Sequence, residues 1–317
     1  MKKTTGYQPG FIGEKLKVLL PQAGERNGKD IAPVKNSKDG LLHYPHHSVV
    51  LSKSRKLPLF AAVNIDGKQF RQIDRNKLFP GGSDNWTVDD RAPEHQWGNE
   101  LYSAKGSDFD KGHMVKREDP QWGPADIATE AAKSTFFFSN CAPQVGDLNR
   151  KEWRVLEDYI LKKESANVKD SLKICVFTGP VLSDDDPFFA NKIKGQDVRI
   201  PTLFWKLVYF TDDGKTLNRV GFLMGQKKLL LDRGIVTPPE EELEAVKHFD
   251  DYEDASTYQV NIALIETLTG LQFSPANEPY KDTRSTKLVM KQVDLGGLES
   301  FPAGDSGLEF TLEGIVL

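Results

Sequence analysis

Short apolar runs separated by turn-forming residues make up most of the middle of the chain. They are rich in β-branched and aromatic residues, and most have the length of a strand, not of a helix. A basic stretch at residues 53–56 and then Asp66-Gly67 mark the turns of successive antiparallel strands. The pattern predicts strands at residues 48–52, 59–65, 135–139, 173–178, 203–210 and 219–224.

Helical periodicity occurs in three places. Apolar residues recur at helical spacing from Leu148 to about Lys163. Pro238-Pro239 precedes an acidic helix candidate, and residues 256–269 predict a helix that ends at Gly270. Few helices beside many strands predict an α+β fold, in which helices pack on an antiparallel-rich sheet.

Composition divides the chain into three parts. Residues 1–45 are rich in Gly, Pro, Lys and Asn without periodicity, and we predict an irregular N-terminal arm. Residues 46–280 are predicted to form the folded domain, and residues 281–317 a C-terminal extension that packs on it or trails from it. Within the domain, residues 80–110 hold many turn formers, and such a long loop is usually functional.

Charge is distributed unevenly along the chain. Its 42 Lys and Arg against 46 Asp and Glu give a net charge of -4, which excludes a protein that coats nucleic acid by bulk positive charge. Residues 1–75, however, hold 14 basic and 6 acidic residues, a net charge of +8, so the remainder carries -12. A locally basic site is therefore allowed, and an anionic substrate is expected to approach from the N-terminal side.

Nothing in the sequence predicts export or membrane insertion. Polar residues follow Met1-Lys2-Lys3 where a signal peptide would have an apolar run, and no apolar run approaches the ~18 residues of a membrane span. The two cysteines, Cys141 and Cys175, are expected to be reduced thiols. We therefore predict a cytoplasmic protein with no membrane partner.

The residues most informative about chemistry are a histidine and a polar helix stripe. His113 follows a glycine where a loop meets a strand, and a neutral imidazole is well suited to accept a proton from water. Asn149, Trp153 and Glu157 recur every four residues and so lie along one side of the predicted helix. The amide oxygen of Asn149 and the carboxylate of Glu157 are suitable ligands for Mg²⁺. A metal ion together with a histidine indicates phosphodiester hydrolysis.

Each of these short motifs also has a purely structural interpretation. A Gly-His pair is usually a turn with a surface histidine, and the helix stripe is usually a face with one buried aromatic; only their joint occurrence favours catalysis. For other groups we prefer the structural interpretation. These are His43, His46 and His47 as a zinc site, Asp184-Asp185-Asp186 as a cation site, Cys141 as a nucleophile, and Trp86, Trp97 and Trp122 as base-stacking side chains.

Four motifs together resemble those of the DNA/RNA non-specific endonucleases, a family with the ββα-metal (His-Me finger) nuclease core. The family pattern is Asp-Arg-Gly-His, then Thr/Ser-Asn, Pro-Gln, and an Asn followed by Trp and Leu-Glu on a helix. The matching residues are Asp110-Lys111-Gly112-His113, Ser139-Asn140, Pro143-Gln144, and Asn149 with Trp153 and Leu156-Glu157. The resemblance extends from about His46 to Phe273 and implies this core, with a central antiparallel-rich sheet flanked by helices.

The resemblance also implies a role for each matching residue. It makes His113 the general base that activates water and Asn149 the ligand of Mg²⁺, with Mn²⁺ as an alternative ion. Glu157 would hold metal-bound waters, Asn140 would orient groups in the site, and Asp110 would fix the backbone of its motif.

Two positions depart from the family pattern. Lys111 replaces the motif arginine, which keeps the positive charge but loses the planar pair of donors. Arg117 is the nearest residue that would supply them. Glu118 stands where the family usually has Ala or Gly.

The resemblance implies a metal-dependent, sugar-non-specific endonuclease that hydrolyses DNA and RNA and leaves 5′-phosphate ends. The inferred groups all address the backbone of the nucleic acid, which carries no base information. The alternative is a catalytically weak or inert nuclease fold that acts as a nucleic-acid-binding or interaction module. A nuclease would endanger its own cell, so its activity is expected to be controlled, and residues 1–45 are the candidate for that control. The sequence leaves both a homodimer and a regulatory partner possible.

Overall fold

The computed structural model describes residues 5–81, 84–146, 173–237, 253–293, 309–313 and 315–316. The helices predicted at residues 148–163 and after Pro239 lie outside the described residues. The strands are β1 (Gln22–Ala23), β2 (Leu41–Tyr44), β3 (His47–Leu51), β4 (Pro58–Asp66), β5 (Phe109–His113), β6 (Cys141–Val145), β7 (Lys173–Pro180), β8 (Phe188–Phe189), β9 (Leu203–Phe210), β10 (Asn218–Gly225), β11 (Val236–Thr237), β12 (Thr257–Val260), β13 (Leu271–Gln272), β14 (Thr286–Lys287), β15 (Val289–Val293) and β16 (Glu309–Glu313). The α-helices are α1 (Glu25–Asp30), α2 (Arg75–Leu78), α3 (Asn99–Tyr102), α4 (Ala125–Ser134), α5 (Lys227–Asp232) and α6 (Ile262–Thr269), and short 3₁₀ segments cover Gly67–Gln69, Pro93–His95 and Phe138–Asn140.

The central element is an eight-stranded sheet with the order β14-β12-β10-β9-β7-β4-β3-β2. Every neighbouring pair in it is antiparallel. The α+β fold with a large antiparallel sheet is therefore confirmed. The strands predicted at residues 48–52, 59–65, 173–178, 203–210 and 219–224 correspond to β3, β4, β7, β9 and β10.

One predicted element is wrong in type, and another begins later than predicted. Residues 135–139 do not form a strand: Thr135 ends α4, where both its amide and its hydroxyl donate to Ala132 O, and a 3₁₀ turn follows. The helix predicted from residue 256 begins only at Ile262, because Thr257–Val260 is the strand β12 and the Asn261 side chain caps the helix. Gly270 does end this helix, in the left-handed conformation with φ 64°.

The sheet has two differently covered faces, because alternate residues of a strand point to opposite sides. On β7, for example, Ile174 and Val176 belong to one apolar cluster, and Cys175 and Phe177 to the other. The first cluster includes residues of β5 and β6, and we call that side the ribbon face. The second includes Tyr7, Val18 and residues of α6, and we call it the arm face.

The N-terminal arm is fastened to the arm face. Tyr7 packs on Phe177 with ring centroids 5.3 Å apart, and its hydroxyl donates to Val18 O at 2.9 Å. Further along the chain, β1 pairs with β13. The central sheet includes β2, which begins at Leu41, and the domain boundaries at residues 45 and 280 stay a prediction.

On the ribbon face, β5 and β6 form a separate two-stranded antiparallel ribbon in which His113 pairs with Cys141. The buried Gln226 side chain holds β6 in place. Its oxygen accepts from Val145 N at 2.9 Å, and its nitrogen donates to Pro143 O at 3.1 Å and Pro201 O at 2.8 Å. Because these bonds fix the backbone of β6, they also fix that of its partner β5. Among the described residues, no helix is both long and apolar enough to span a bilayer.

Candidate active site

His113 ends β5, and aromatic rings surround its imidazole. The ring centroid of Trp86 lies 4.6 Å away and that of Phe136 4.9 Å away, edge-on. The residue is partly exposed, but Nε2 is buried and has no hydrogen-bond partner within the described part of the chain. Burial lowers the pKa of His113 to about 4. The negative charges of Glu118 and Asp84 raise this pKa, but burial outweighs them. The imidazole is therefore neutral at pH 7, as a general base must be.

Asn140 fixes the backbone that follows His113. Its oxygen accepts from Val115 N at 3.0 Å, and its nitrogen donates to Val115 O at 2.9 Å and Thr135 O at 3.0 Å. Its own carbonyl accepts from Met114 N at 2.8 Å. The side chain is fully buried. Asn140 is therefore a positioning residue that acts through the backbone beside His113.

Two arginine–carboxylate pairs lie close enough to His113 to shift its pKa. Arg75 pairs with Asp84, and Arg117 pairs with Glu118. Burial raises the pKa of Glu118, but Lys116 and Arg117 outweigh it and leave the pKa below its ordinary value. Arg117 was expected to supply the donors that Lys111 lacks, but its guanidinium pairs with Glu118. It also donates to Ile73 O at 3.2 Å. No motif in the sequence singles out Arg75 or Asp84, because their approach to His113 depends on the course of a loop.

Lys111 lies two residues before His113 and so on the same side of β5. Its Nζ is 5.6 Å from the centroid of the Tyr102 ring. Tyr102 in turn hydrogen-bonds the Cys141 thiol at 3.2 Å. Burial raises the pKa of Cys141 to about 12, so the thiol is protonated near neutral pH and is unsuited to act as a nucleophile.

Gln144 is a polar side chain whose role the sequence motif did not reveal. It is fully buried on β6, and neither its oxygen nor its nitrogen has a hydrogen-bond partner in the described residues. A Cβ at position 112 would collide with the Gln144 side chain, so any residue other than glycine would require the buried Gln144 to move. Since leaving a buried amide unpaired costs about 1–3 kcal/mol, such a group in a native site needs an explanation.

The predicted metal ligands Asn149 and Glu157 lie outside the described residues. Within those residues, no three His, Cys, Asp or Glu side chains converge as a metal site would require. The described groups fit a divalent cation near His113, because the imidazole is neutral and its Nε2 has no partner among the described residues. Gln144 pairs with Asp110, so its side chain lies on the other side of the ribbon from that of His113.

The remaining candidate groups are structural. Trp97 and Trp122 donate their indole N–H to Arg55 O at 3.0 Å and Asn64 O at 2.8 Å, which pins their loops to the domain. In the acidic triplet, Asp186 forms a buried ion pair with Arg55 at 2.6 Å. Burial lowers the pKa of His47 to about 3 and also lowers that of His46.

The fold and the ribbon define an α+β protein in which a β-ribbon presents a neutral histidine beside two ion pairs. Comparison with known proteins gives this class a family. Residues 27–279 match the model of the DNA/RNA non-specific endonucleases, and the chain belongs to this family.

Relatives support this assignment. The chain is 32% identical to the uncharacterized protein y4fB of Sinorhizobium fredii over 85% of its own length, and 29% identical to mitochondrial Endonuclease G of Bos taurus over 54%. These alignments cover 39% and 50% of the relatives, so the chain spans half or less of their length. A chain in the crystal structure of the EndoG/EndoGI complex shares the fold, with a TM-score of 0.52 and 18% identity, over 80% of this chain and 92% of that one.

Proposed function

We propose that this protein is a metal-dependent endonuclease that hydrolyses phosphodiester bonds of both DNA and RNA. The observation that carries the proposal is the state of His113. Its ring is neutral, it is partly exposed, and its buried Nε2 has no hydrogen-bond partner among the described residues. A general base needs a free lone pair. His47 and His95 also have a buried ring nitrogen without a partner among the described residues, but only His113 lies on the β5–β6 ribbon beside the two arginine–carboxylate pairs.

In the proposed mechanism, His113 accepts a proton from the water that attacks phosphorus. Trp86 and Phe136 hold the ring in place, and Asn140 fixes the turn behind it. Lys111 and the arginines beside the histidine provide positive potential for the scissile phosphate. The bond between phosphorus and the leaving 3′-oxygen breaks, and the 5′-phosphate remains on the product.

Asn149 is the proposed direct ligand of a Mg²⁺ ion, and Glu157 is proposed to hold its bound waters. When bound, the ion neutralises charge on the phosphate and the leaving oxygen. Mn²⁺ is proposed as an alternative ion. The family resemblance supports both residue assignments.

Incubation of the purified protein with supercoiled plasmid and with RNA tests the activity. We expect cleavage of both substrates with Mg²⁺, none with excess EDTA, and recovery when Mg²⁺ is restored. Ligation of the products without prior phosphorylation would confirm 5′-phosphate ends. Intact substrates under every divalent-metal condition would refute the proposal.

Metal binding is tested separately by calorimetry with Mg²⁺ and with Mn²⁺. Asn149→Ala should abolish the binding heat, while Asn191→Ala, on a surface loop where Asn191 donates to Lys105 O at 2.9 Å, should preserve it. Unchanged binding by Asn149→Ala would remove that residue as the ligand and leave the nuclease assignment standing.

One observation favours the inert alternative. The Arg117 guanidinium, which would compensate for the lysine at position 111, is held by Glu118. An inert module would bind nucleic acid in EDTA with a strong salt dependence and show no turnover when metal is added. Lys111→Arg would then be expected to create activity.

A further inference from the structure

Residues 68–76 form an exposed basic segment that ends beside His113, and we call it the track. The track contains three basic residues, Lys68, Arg71 and Arg75, and one acidic residue, Asp74. Eight of the nine side chains of the track are exposed, with Ile73 the partly buried exception. Phe70 is 44% exposed, which makes it one of the few large apolar side chains at the surface of the described residues.

Backbone hydrogen bonds hold the track in a fixed course. Arg71 N donates to Gln121 O at 2.7 Å, and Gly123 N donates to Gln69 O at 3.1 Å, so Phe70 pairs with Trp122 as in a short antiparallel bridge. The Arg71 side chain also donates to Gly123 O. The exposure of Phe70 is therefore not a consequence of a loose loop.

The partner of this bridge is itself immobilised. Trp122 stacks on His46 with ring centroids 3.4 Å apart and packs on Phe11 at 5.2 Å. Its indole N–H donates to Asn64 O. The platform under Phe70 is thus continuous with the core of the domain, and a side chain that it presents loses little entropy on binding.

The other end of the track meets the candidate active site. Ile73 O accepts from Arg117, and Arg75 lies close enough to His113 to lower its pKa. Phe70 and Arg75 are five residues apart, at most about 17 Å in an extended chain, which is about five nucleotides of a stacked strand. If the scissile phosphate of a nucleic-acid strand lies at His113, a base a few nucleotides away from that phosphate would therefore reach Phe70.

We propose that the track binds single-stranded nucleic acid, with Phe70 stacked on an unpaired base and Lys68 and Arg71 facing the phosphates. An aromatic face stacks on any unpaired base, while paired bases keep their faces inside the duplex. The track thus confers a preference for unpaired substrate without sequence preference. This inference rests on the proposed function for its substrate.

Tryptophan fluorescence in EDTA tests the inference without cleavage. Phe70→Trp should show quenching on titration with oligothymidylate, beyond that of the wild type, and none with a blunt duplex of equal length. Leu19→Trp is the matched control, because Leu19 is 50% exposed on the N-terminal arm, and it should show no added quenching. Equal quenching by both nucleic acids, or equal signals from the two variants, would overturn the proposal.

Affinity measurements provide the second readout. Phe70→Ala should lower the ratio of single-strand to duplex affinity about tenfold, and Phe70→Tyr should restore it. Lys68→Ala should reduce the slope of log affinity for the single strand against log salt by about 0.7. An unchanged ratio in Phe70→Ala would show that the track is a contact for another protein or a solvated surface. Because binding is measured without metal, an inactive enzyme would not affect this outcome.

Discussion

The polar groups that fasten the N-terminal arm differ in their hydrogen bonding from those of the β5–β6 ribbon. On the arm face, the groups that fasten the N-terminal arm are paired: the Tyr7 hydroxyl donates to Val18 O, and the Asn64 side chain accepts from Gln8 N and donates to Gln8 O. On the ribbon face, His113 Nε2 and both amide atoms of Gln144 are buried without partners among the described residues. Unpaired buried groups lower the stability of the folded state, so the ribbon is less stabilised by hydrogen bonds at the place where we propose catalysis.

The packing of the N-terminal arm bears on whether it controls activity or contributes stability. Residues 1–45 were a candidate for controlling activity. Tyr7 and Val18, near the start of this segment, pack on the sheet face opposite to the ribbon, whereas Ala32 and Val34 belong to the ribbon-face cluster. We therefore expect the start of the arm to contribute stability, and substitutions of Tyr7 and of residues in the ribbon to have separable effects.

The largest expected effect is on catalysis at the ribbon face. His113→Ala should lower the initial rate of plasmid cleavage about 10²–10⁴-fold, the usual contribution of a general base. Its thermal unfolding should change less than that of Tyr7→Ala, because the ring is partly exposed and Nε2 has no hydrogen-bond partner among the described residues. His95→Ala is the matched control: His95 is also partly exposed and has a buried ring nitrogen with no partner in the described part of the chain, but it lies outside β5 and β6. Undiminished cleavage by His113→Ala would end the proposed mechanism.

On the arm face the expected effect is on stability. Tyr7→Ala removes a 5%-exposed ring that packs on Phe177, and should lower the free energy of unfolding by about 4 kcal/mol. Tyr7→Phe, which loses only the bond to Val18 O, should cost about 1–2 kcal/mol. Urea denaturation measures both. A changed kcat/KM in fully folded Tyr7→Phe would mean that the arm does communicate with the site.

Acid should destabilise the ribbon face, which carries both His113 and the fully buried His47. Burial lowers the pKa of His113 to about 4 and that of His47 to about 3, from 6.5. The unfolded chain therefore binds more protons than the native one below pH 6.5, so stability is full above that pH and falls as the pH drops toward these values. His47 alone should cost about 2 kcal/mol between pH 6.5 and 5. In urea denaturation across this range, His47→Phe should show a shallower slope; an identical slope would contradict the assignment.

Sequence periodicity predicted most of the sheet but little of the site. β9 was predicted with its observed bounds because an eight-residue apolar run has one way to be buried between two layers. The run of phenylalanines after Thr135 is also strongly apolar, yet the end of α4 and the hydrogen bonds of Asn140 lead it into a 3₁₀ segment. Tertiary contacts decide such cases, and no local pattern records them.

The same limit applies to the surroundings of His113. The motif singled out the histidine and Asn140, but the packing of Trp86 on the ring and the pairing of Arg75 with Asp84 depend on how a long loop returns to the ribbon. Pairing of Arg117 with Glu118 was open to prediction from their adjacency, and the departure from the family at position 118 was the available signal.

The smallest expected effect concerns Glu118. Its carboxylate raises the pKa of His113 and holds the Arg117 guanidinium, so Glu118→Gln should lower the acid limb of the kcat/KM profile by less than about one pH unit. The released guanidinium should also lower KM several-fold, because it no longer has to exchange a carboxylate for a phosphate. Glu100→Gln is the matched control: Glu100 is a similarly exposed carboxylate paired with Lys194 at 3.0 Å, and its loss should change neither quantity. If Glu118 only stabilised its turn, the variant would lower the melting temperature and leave the pH profile unchanged. The charge pair of Glu118 would then have a purely structural role, like the paired groups that fasten the N-terminal arm.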